Sequence, residues 1–345
     1  MKQFGKGWST ESRARGARAA PAGHASYWGE AQKVWHIPAV SSGSRTLSAR
    51  LSALVLAAAL VACQPPADPL RTTGPATLSE AQQYVLALVN RDREQAGLRP
   101  VQWDETAARA AQRHAEDMAG NGFTGHWGTD GSVPEQRYTE AGGTRFAQEN
   151  SACFFDGVAR QLDASAVFDR TELEKVEAAF INEVPPSDGH RRNILTPQHN
   201  RLGVGLAKPA GLTQPCLAQE FVDDYGEFAP LPTEARVGDT IRVEGEVLAP
   251  VEFGGVGIGR VDAAAPIAVA ELLGRSTYAI PEPYVLFFPA GFKTPKPVEV
   301  DGNHFGIDVK LDDAGRPGRY QVSVWGRYPD SDALVMVSLR TIIVK

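Results

Sequence analysis

The apolar positions of this chain keep one period in its first half and another in its second. From residue 78 to about 118 they recur every three or four residues, and beyond 235 they alternate. In "LSEAQQYVLALVNRDREQAG" the stripe Val85, Leu88, Val89 and Asp92 predicts a helix, opened by a Ser79/Gln82 capping box and ended by Gly97. After the extended link "LRPVQWDET", Asp104 is a good N-cap for a second helix, with Ala107, Ala111, Ala115 and Met118 on its buried face. Alanines at those positions predict close packing on something flat, such as a sheet.

Residues 120–150 read as loop, with "GNG", "TDG" and "AGG" marking turns. A third helix over 172–182 is ended by Pro185 and Pro186. "RLGVGLA" and "CLAQEFVDDY" alternate as strands, so 78–228 is predicted as an α+β domain with helices enclosing a small sheet. After "FAPLPTEA" the helical signal ends. "TIRVEGEV", "HFGIDVKL", "GRYQVSVW" and "ALVMVSLRTIIV" predict an all-β sandwich over 235–345, immunoglobulin-like in the loose sense. Phe305, Ile307, Val309 and Leu311 fall on one strand face. "GGVGIG" lacks the helix and Lys of a phosphate loop and reads as a strand or bulge. Trp325 reads as core.

The first 62 residues have a different character. "LSALVLAAALVAC", behind Arg45 and Arg50, has the charged start and short apolar core of a secretory signal. Its end, "LVAC", resembles the lipobox of bacterial lipoproteins, which implies lipidation of Cys63; the alternative is a chance cysteine after a plain signal. Residues 1–44 fit no signal peptide, and we read the start as assigned too far upstream. Residues 63–77 form a proline-rich linker. Residues 1–62 carry eight Lys/Arg against two Asp/Glu, leaving 27 basic and 39 acidic side chains, a net of −12, on 63–345. That balance, without a basic cluster, argues against a nucleic-acid partner. With Cys63 acylated, Cys153 and Cys216 remain. An even remainder in an oxidising compartment suggests a disulfide between them, the alternative being two buried thiols.

Of seven histidines, His126 and His190 stand out, each in a glycine-rich turn and each near a segment carrying a carboxylate, Glu149 or Glu183. Imidazole nitrogens and carboxylate oxygens are the ligand set of zinc and similar divalent ions. The same four groups could form a hydrogen-bonded cluster with no metal. His114 reads as packed or at the surface, His304 opens a strand, and nothing singles out His199. No nucleophile elbow appears, and neither remaining cysteine has an activating setting.

"LVNRDREQAGLRPVQWDETAARAAQRHAEDMA", "FTGHWGTDGSVPEQR", "AQENSA", "DGHRRNIL", "LGVGLA" and "AQEF" follow one another in an order that resembles the bacterial branch of the CAP superfamily, the SCP domains. The resemblance covers 78 to about 225. It implies a three-layer α-β-α sandwich with a central cleft, whose His/Glu tetrad maps onto His126, Glu149, Glu183 and His190. Gln148 stands where the family has glycine, and Ala179-Phe180 where a tryptophan is usual. In "NEVPPSDGHRRNIL" the prolines and Asp188-Gly189 would reverse the chain so that Glu183 and His190 face one cavity, with Ile194 and Leu195 anchoring the turn. Arg191 and Arg192 read as solvated or paired.

Three functions are carried forward. The first is a membrane-anchored extracytoplasmic module whose cleft binds a divalent metal, zinc favoured, or a small ligand without turnover. The second is a metal-dependent hydrolase, with a metal on His126 and His190 activating water and Glu149 or Glu183 as base. The third is lipid binding in an apolar groove. The β domain is expected to be a spacer, or else to adhere to cell wall or a partner protein.

Overall fold

The computed structural model describes residues 68–345 except 276, 277, 330 and 332. Cys63, the signal segment and the proposed late start lie outside the described residues. A 3-10 turn, Pro69–Arg71, leads to β1 (Pro75–Ala76) and α1 (Leu78–Gln95). The capping box of α1 is Thr77/Glu80 and not Ser79/Gln82. The Thr77 hydroxyl accepts from Glu80 N–H at 3.4 Å, and Glu80 accepts from Thr77 N–H at 2.8 Å. Both pairs have the same spacing, and the glutamate also complements the helix dipole. Gly97, at φ 74°, ends the helix as expected.

After β2 (Gln102–Trp103), α2 (Glu105–Asn121) starts at Asp104, whose carboxylate accepts from Ala107 N–H at 2.8 Å. The segment expected to be loop contains α3 (Pro134–Glu140) and β3 (Phe146–Ala152). Glu135, Gln136 and Arg137 are buried on α3, so a polar sequence occupies core positions and no apolar period announces the helix. Then come β4 (Phe168–Asp169), α4 (Arg170–Ile181), α5 (Gly189–Ile194), β5 (Arg201–Ala207) and β6 (Cys216–Asp223). His190 therefore sits in the first turn of a short helix, where the sequence suggested a turn alone.

The sheet order is β2-β5-β6-β3, antiparallel except for β2 with β5. Alternation along it makes three layers. Leu202, Val204, Leu206, Leu217 and Phe221 join α1 and α4 in one cluster. The opposite face packs on α2, and Gly203 and Gly205 explain how closely: a Cβ there would stand 2.0 Å from Ala108 N and 2.1 Å from Ala111 C. Alanines on the helix and glycines on the strand thus let the two backbones approach. Cys153 and Cys216 form a disulfide on this face, just beyond the end of β3 and at the start of β6.

The rest of the chain comprises β7 (Gly226–Phe228), β8 (Glu234–Ala235), β9 (Thr240–Val247), β10 (Glu252–Val261), α6 (Val269–Leu272), β11 (Val285–Phe287), β12 (Glu299–Asp301), β13 (His304–Lys310), β14 (Gly318–Arg327) and β15 (Leu334–Val344). These strands form two sheets, β11-β10-β14-β15-β8 and β12-β13-β9-β7, with one hydrophobic core drawn from both. Phe305, Ile307, Val309 and Leu311 are all buried in it. "GGVGIG" lies in β10, whose ladder shifts register between Phe253 and Gly255. The polar alternate face of β14 is also buried, against α3: Arg319 donates to Gln136 at 2.8 Å and Gln321 to Glu135 at 2.6 Å. Among the described residues no helix is long and apolar enough to cross a membrane.

Candidate functional site

β3 is the edge strand of its sheet, and the candidate site wraps around that edge. Glu149 points to the α2 face, Asn150 to the α4 face, and each helps to fix one histidine. His126, in the loop after α2, directs Nδ1 to Glu149 Oε1 at 3.0 Å. Glu183, between α4 and α5, accepts from His190 Nδ1 at 2.6 Å on one oxygen and from His190 N–H at 2.9 Å on the other. All four predicted residues line one cleft of about 900 Å³, within the range of small-ligand sites.

Each pair is built differently. The Glu149 side chain is sealed from solvent and also accepts from Arg137 at 2.7 Å, with His114 Nε2 at 3.6 Å. Burial alone would raise its pKa, but the Arg137 guanidinium and the neighbouring histidines hold it well below the usual carboxylate range. Arg137 also donates twice to the His126 carbonyl at 3.1 Å, so one buried cation fixes both the carboxylate and the backbone of its histidine. Glu183 and His190 are partly exposed, and the His190 ring lies 4.3 Å from the Phe180 ring centroid.

A carboxylate only accepts hydrogen bonds, so Nδ1 of both rings carries the hydrogen. In the neutral form of either ring, Nε2 is then left with its lone pair. This is the arrangement in which an outer carboxylate orients a metal-binding imidazole. Among the described residues no three His, Cys, Asp or Glu side chains converge into a ready-made metal cage. The two Nε2 atoms are the groups through which these residues could hold an ion, with Glu149 and Glu183 as orienting partners and any further ligands supplied from outside the chain.

Several contributors carry no sequence signal. Arg137 lies in a run read as loop. His199, which nothing singled out, is buried: Nδ1 bonds Asp223 at 2.6 Å and Nε2 bonds Asn193 Oδ1 at 2.8 Å. Asn193 donates to Asn150, which donates to the His190 carbonyl at 3.2 Å, so a buried relay fixes the helix that carries His190. Arg93, fully buried, donates to the carbonyls of Arg99, Ile194, Thr196 and His199 and pins the chain after α5. His114, read as packed or at the surface, is fully buried, and burial, reinforced by Arg137, lowers its pKa to about 4. Arg192 pairs with Asp188 at 3.2 Å and is largely exposed.

The family model of the cysteine-rich secretory protein family, CAP, matches residues 86–221. An uncharacterized Bacillus subtilis protein, YkwD, is 28% identical over 142 residues, which are 41% of this chain and 48% of that protein. The chain thus spans about half the length of this curated relative. A Bacillus anthracis extracellular protein containing a SCP domain is 25% identical, with 44% of this chain and 45% of that one covered and a TM-score of 0.31. A Borrelia burgdorferi outer surface protein is 16% identical, with 44% and 98% covered and a TM-score of 0.33.

Proposed function

We infer, for a chain whose residues 86–221 match the CAP family model, that the cleft is a binding site in which Nε2 of His126 and of His190 hold a divalent ion, zinc favoured, or the polar head of a small ligand. The observation that carries this reading is the commitment of both carboxylates to Nδ1 of their own histidines, at 3.0 and 2.6 Å. Two rings locked with their lone pairs free are organised to bind. A bound zinc would supply Lewis acidity to whatever completes its shell.

Hydrolysis is the second reading, and the same bonds weigh against it. A general base needs a free oxygen facing the reacting water. Glu149 is engaged by Arg137 and His126, and Glu183 spends both oxygens on His190. The cleft lining joins His, Glu, Asn, Gln, Ser and Arg side chains to a similar area of apolar surface, so it fits a ligand with a polar head and an apolar side better than a plain lipid chain. We place the protein outside the cytoplasm, anchored through an acylated Cys63, a reading that the Cys153–Cys216 disulfide favours. We also keep 78–228 and an immunoglobulin-like 235–345 as its two domains. Melting curves of the purified protein with zinc, and again after chelation, test the function. A rise in Tm reversed by chelator supports it; identical curves, with no metal retained, count against it.

A further inference from the structure

The chain between β10 and β11 does not stay with the β sandwich. Its described residues, 262–275 and 278–284, form a strap across the α2/α3 side of the CAP domain. Ile267 N–H donates to the Thr129 carbonyl at 2.8 Å, and Leu272 is buried in the cluster of Ala111, Phe123 and the disulfide. Gly131 makes room for it, since a Cβ there would stand 2.3 Å from the Ala265 carbonyl oxygen. The Arg275 guanidinium lies 4.6 Å above the Trp127 ring, and Tyr278 meets the same ring edge-on at 5.6 Å. The Tyr278 hydroxyl donates to buried Glu135, which Gln321 of β14 also holds. On the return, Gly257 of β10 lets Pro283 lie against the sheet, where a Cβ would stand 2.9 Å from Pro283 Cγ.

The strap reaches the cleft before it returns to β11. Tyr278 and Ile280 line the cleft together with His126, and Tyr278 packs on Trp127, the residue after His126, from beyond the residues that the family model matches. We propose that this strap is the specificity element of the cleft: Tyr278 and Ile280 form the wall next to His126, so ligands are selected by the two domains together and the β domain is a working part of the site. The selection of ligands rests on the binding function inferred above; the wall itself does not. The wall sets the room around one imidazole and adds an aromatic and aliphatic flank to a polar site. It favours a polar-headed ligand with an apolar side over a bulky hydrophilic one.

The test uses carbethoxylation of individual histidines by diethyl pyrocarbonate, read by peptide mass spectrometry. In the Tyr278→Ala/Ile280→Ala protein, His126 is expected to react severalfold faster than in the wild type, with His190 unchanged and buried His114 and His199 protected. Ile280→Ala alone, which keeps the Tyr278 bond, should give a smaller rise at His126. Tyr278→Phe, which keeps the ring, should react like the wild type. An unchanged His126 rate overturns the proposal, as does an equal rise at all four histidines, which would report general loosening. For selection, free Zn²⁺ should bind the double variant as it binds the wild type, whereas Ni²⁺ chelated by nitrilotriacetate should gain affinity. No gain for the chelate overturns the selective role. Absence of Zn²⁺ binding by the wild type itself would defeat the binding function and leave the carbethoxylation result to decide the wall.

Discussion

Glu149 and Glu220 stand directly opposite each other across the β3–β6 ladder, both buried, and the pair cannot carry two charges. Arg137 keeps Glu149 ionised, whereas burial and the charge of Glu149 raise the Glu220 pKa well above normal. The site therefore rests on one buried anion with a neutral acid behind it.

A pH dependence of stability follows. Burial raises Glu177, which accepts from Gln219 at 2.6 Å, to about 8. A carboxyl whose folded pKa is raised contributes stability fully present below the unfolded value, near 4.5, and lost as pH rises through about 8. Unfolding free energies from urea titrations should fall between pH 5 and pH 9 by an amount on the order of a few kcal/mol. Glu177→Gln should flatten that slope, and Glu220→Gln should do the same at its own, raised titration. Equal slopes in wild type and both variants would contradict these assignments.

The two carboxylates of the tetrad should differ in structural weight. Glu149→Gln leaves Arg137 buried without its anion, and breaking such a pair costs about 3–5 kcal/mol. Glu183 and His190 are partly exposed, so Glu183→Gln should cost about 1 kcal/mol or less. Denaturant unfolding of both variants at pH 7 checks the contrast, and equal losses would refute it.

The Cys153–Cys216 bond closes a loop across a sequence separation of 63 residues. Chain entropy for such a loop corresponds to about 4 kcal/mol. The double Cys→Ala protein should unfold at markedly lower denaturant. Its zinc affinity while folded should be unchanged, because neither sulfur lines the cleft.

How legible was this in the sequence? Where burial follows apolar period, it was plain. Ala107 to Met118 gave the inner face of α2, and Phe305 to Leu311 gave a strand face of the sandwich. His126, Glu149, Glu183 and His190 are legible in the order of the motifs, since their spacing alone leaves a shared site open. What stayed hidden is polar burial. Arg137, Glu135 and Gln136 occupy core positions without an apolar period, so α3 read as loop. His199 and Arg93 act through partners remote in sequence, which no local pattern encodes. The strap is equally silent, because its anchors Ile267, Val269 and Leu272 are few and their partners on α2 and the loop after it lie far upstream in sequence.

Isothermal titration of Zn²⁺ into the purified wild-type, His126→Ala and His190→Ala proteins at pH 7 tests the central claim most directly. The predicted result is one saturable site in the wild type, weakened about tenfold or more in each variant. Wild-type binding matched by both variants, or no binding in any of the three, would contradict it.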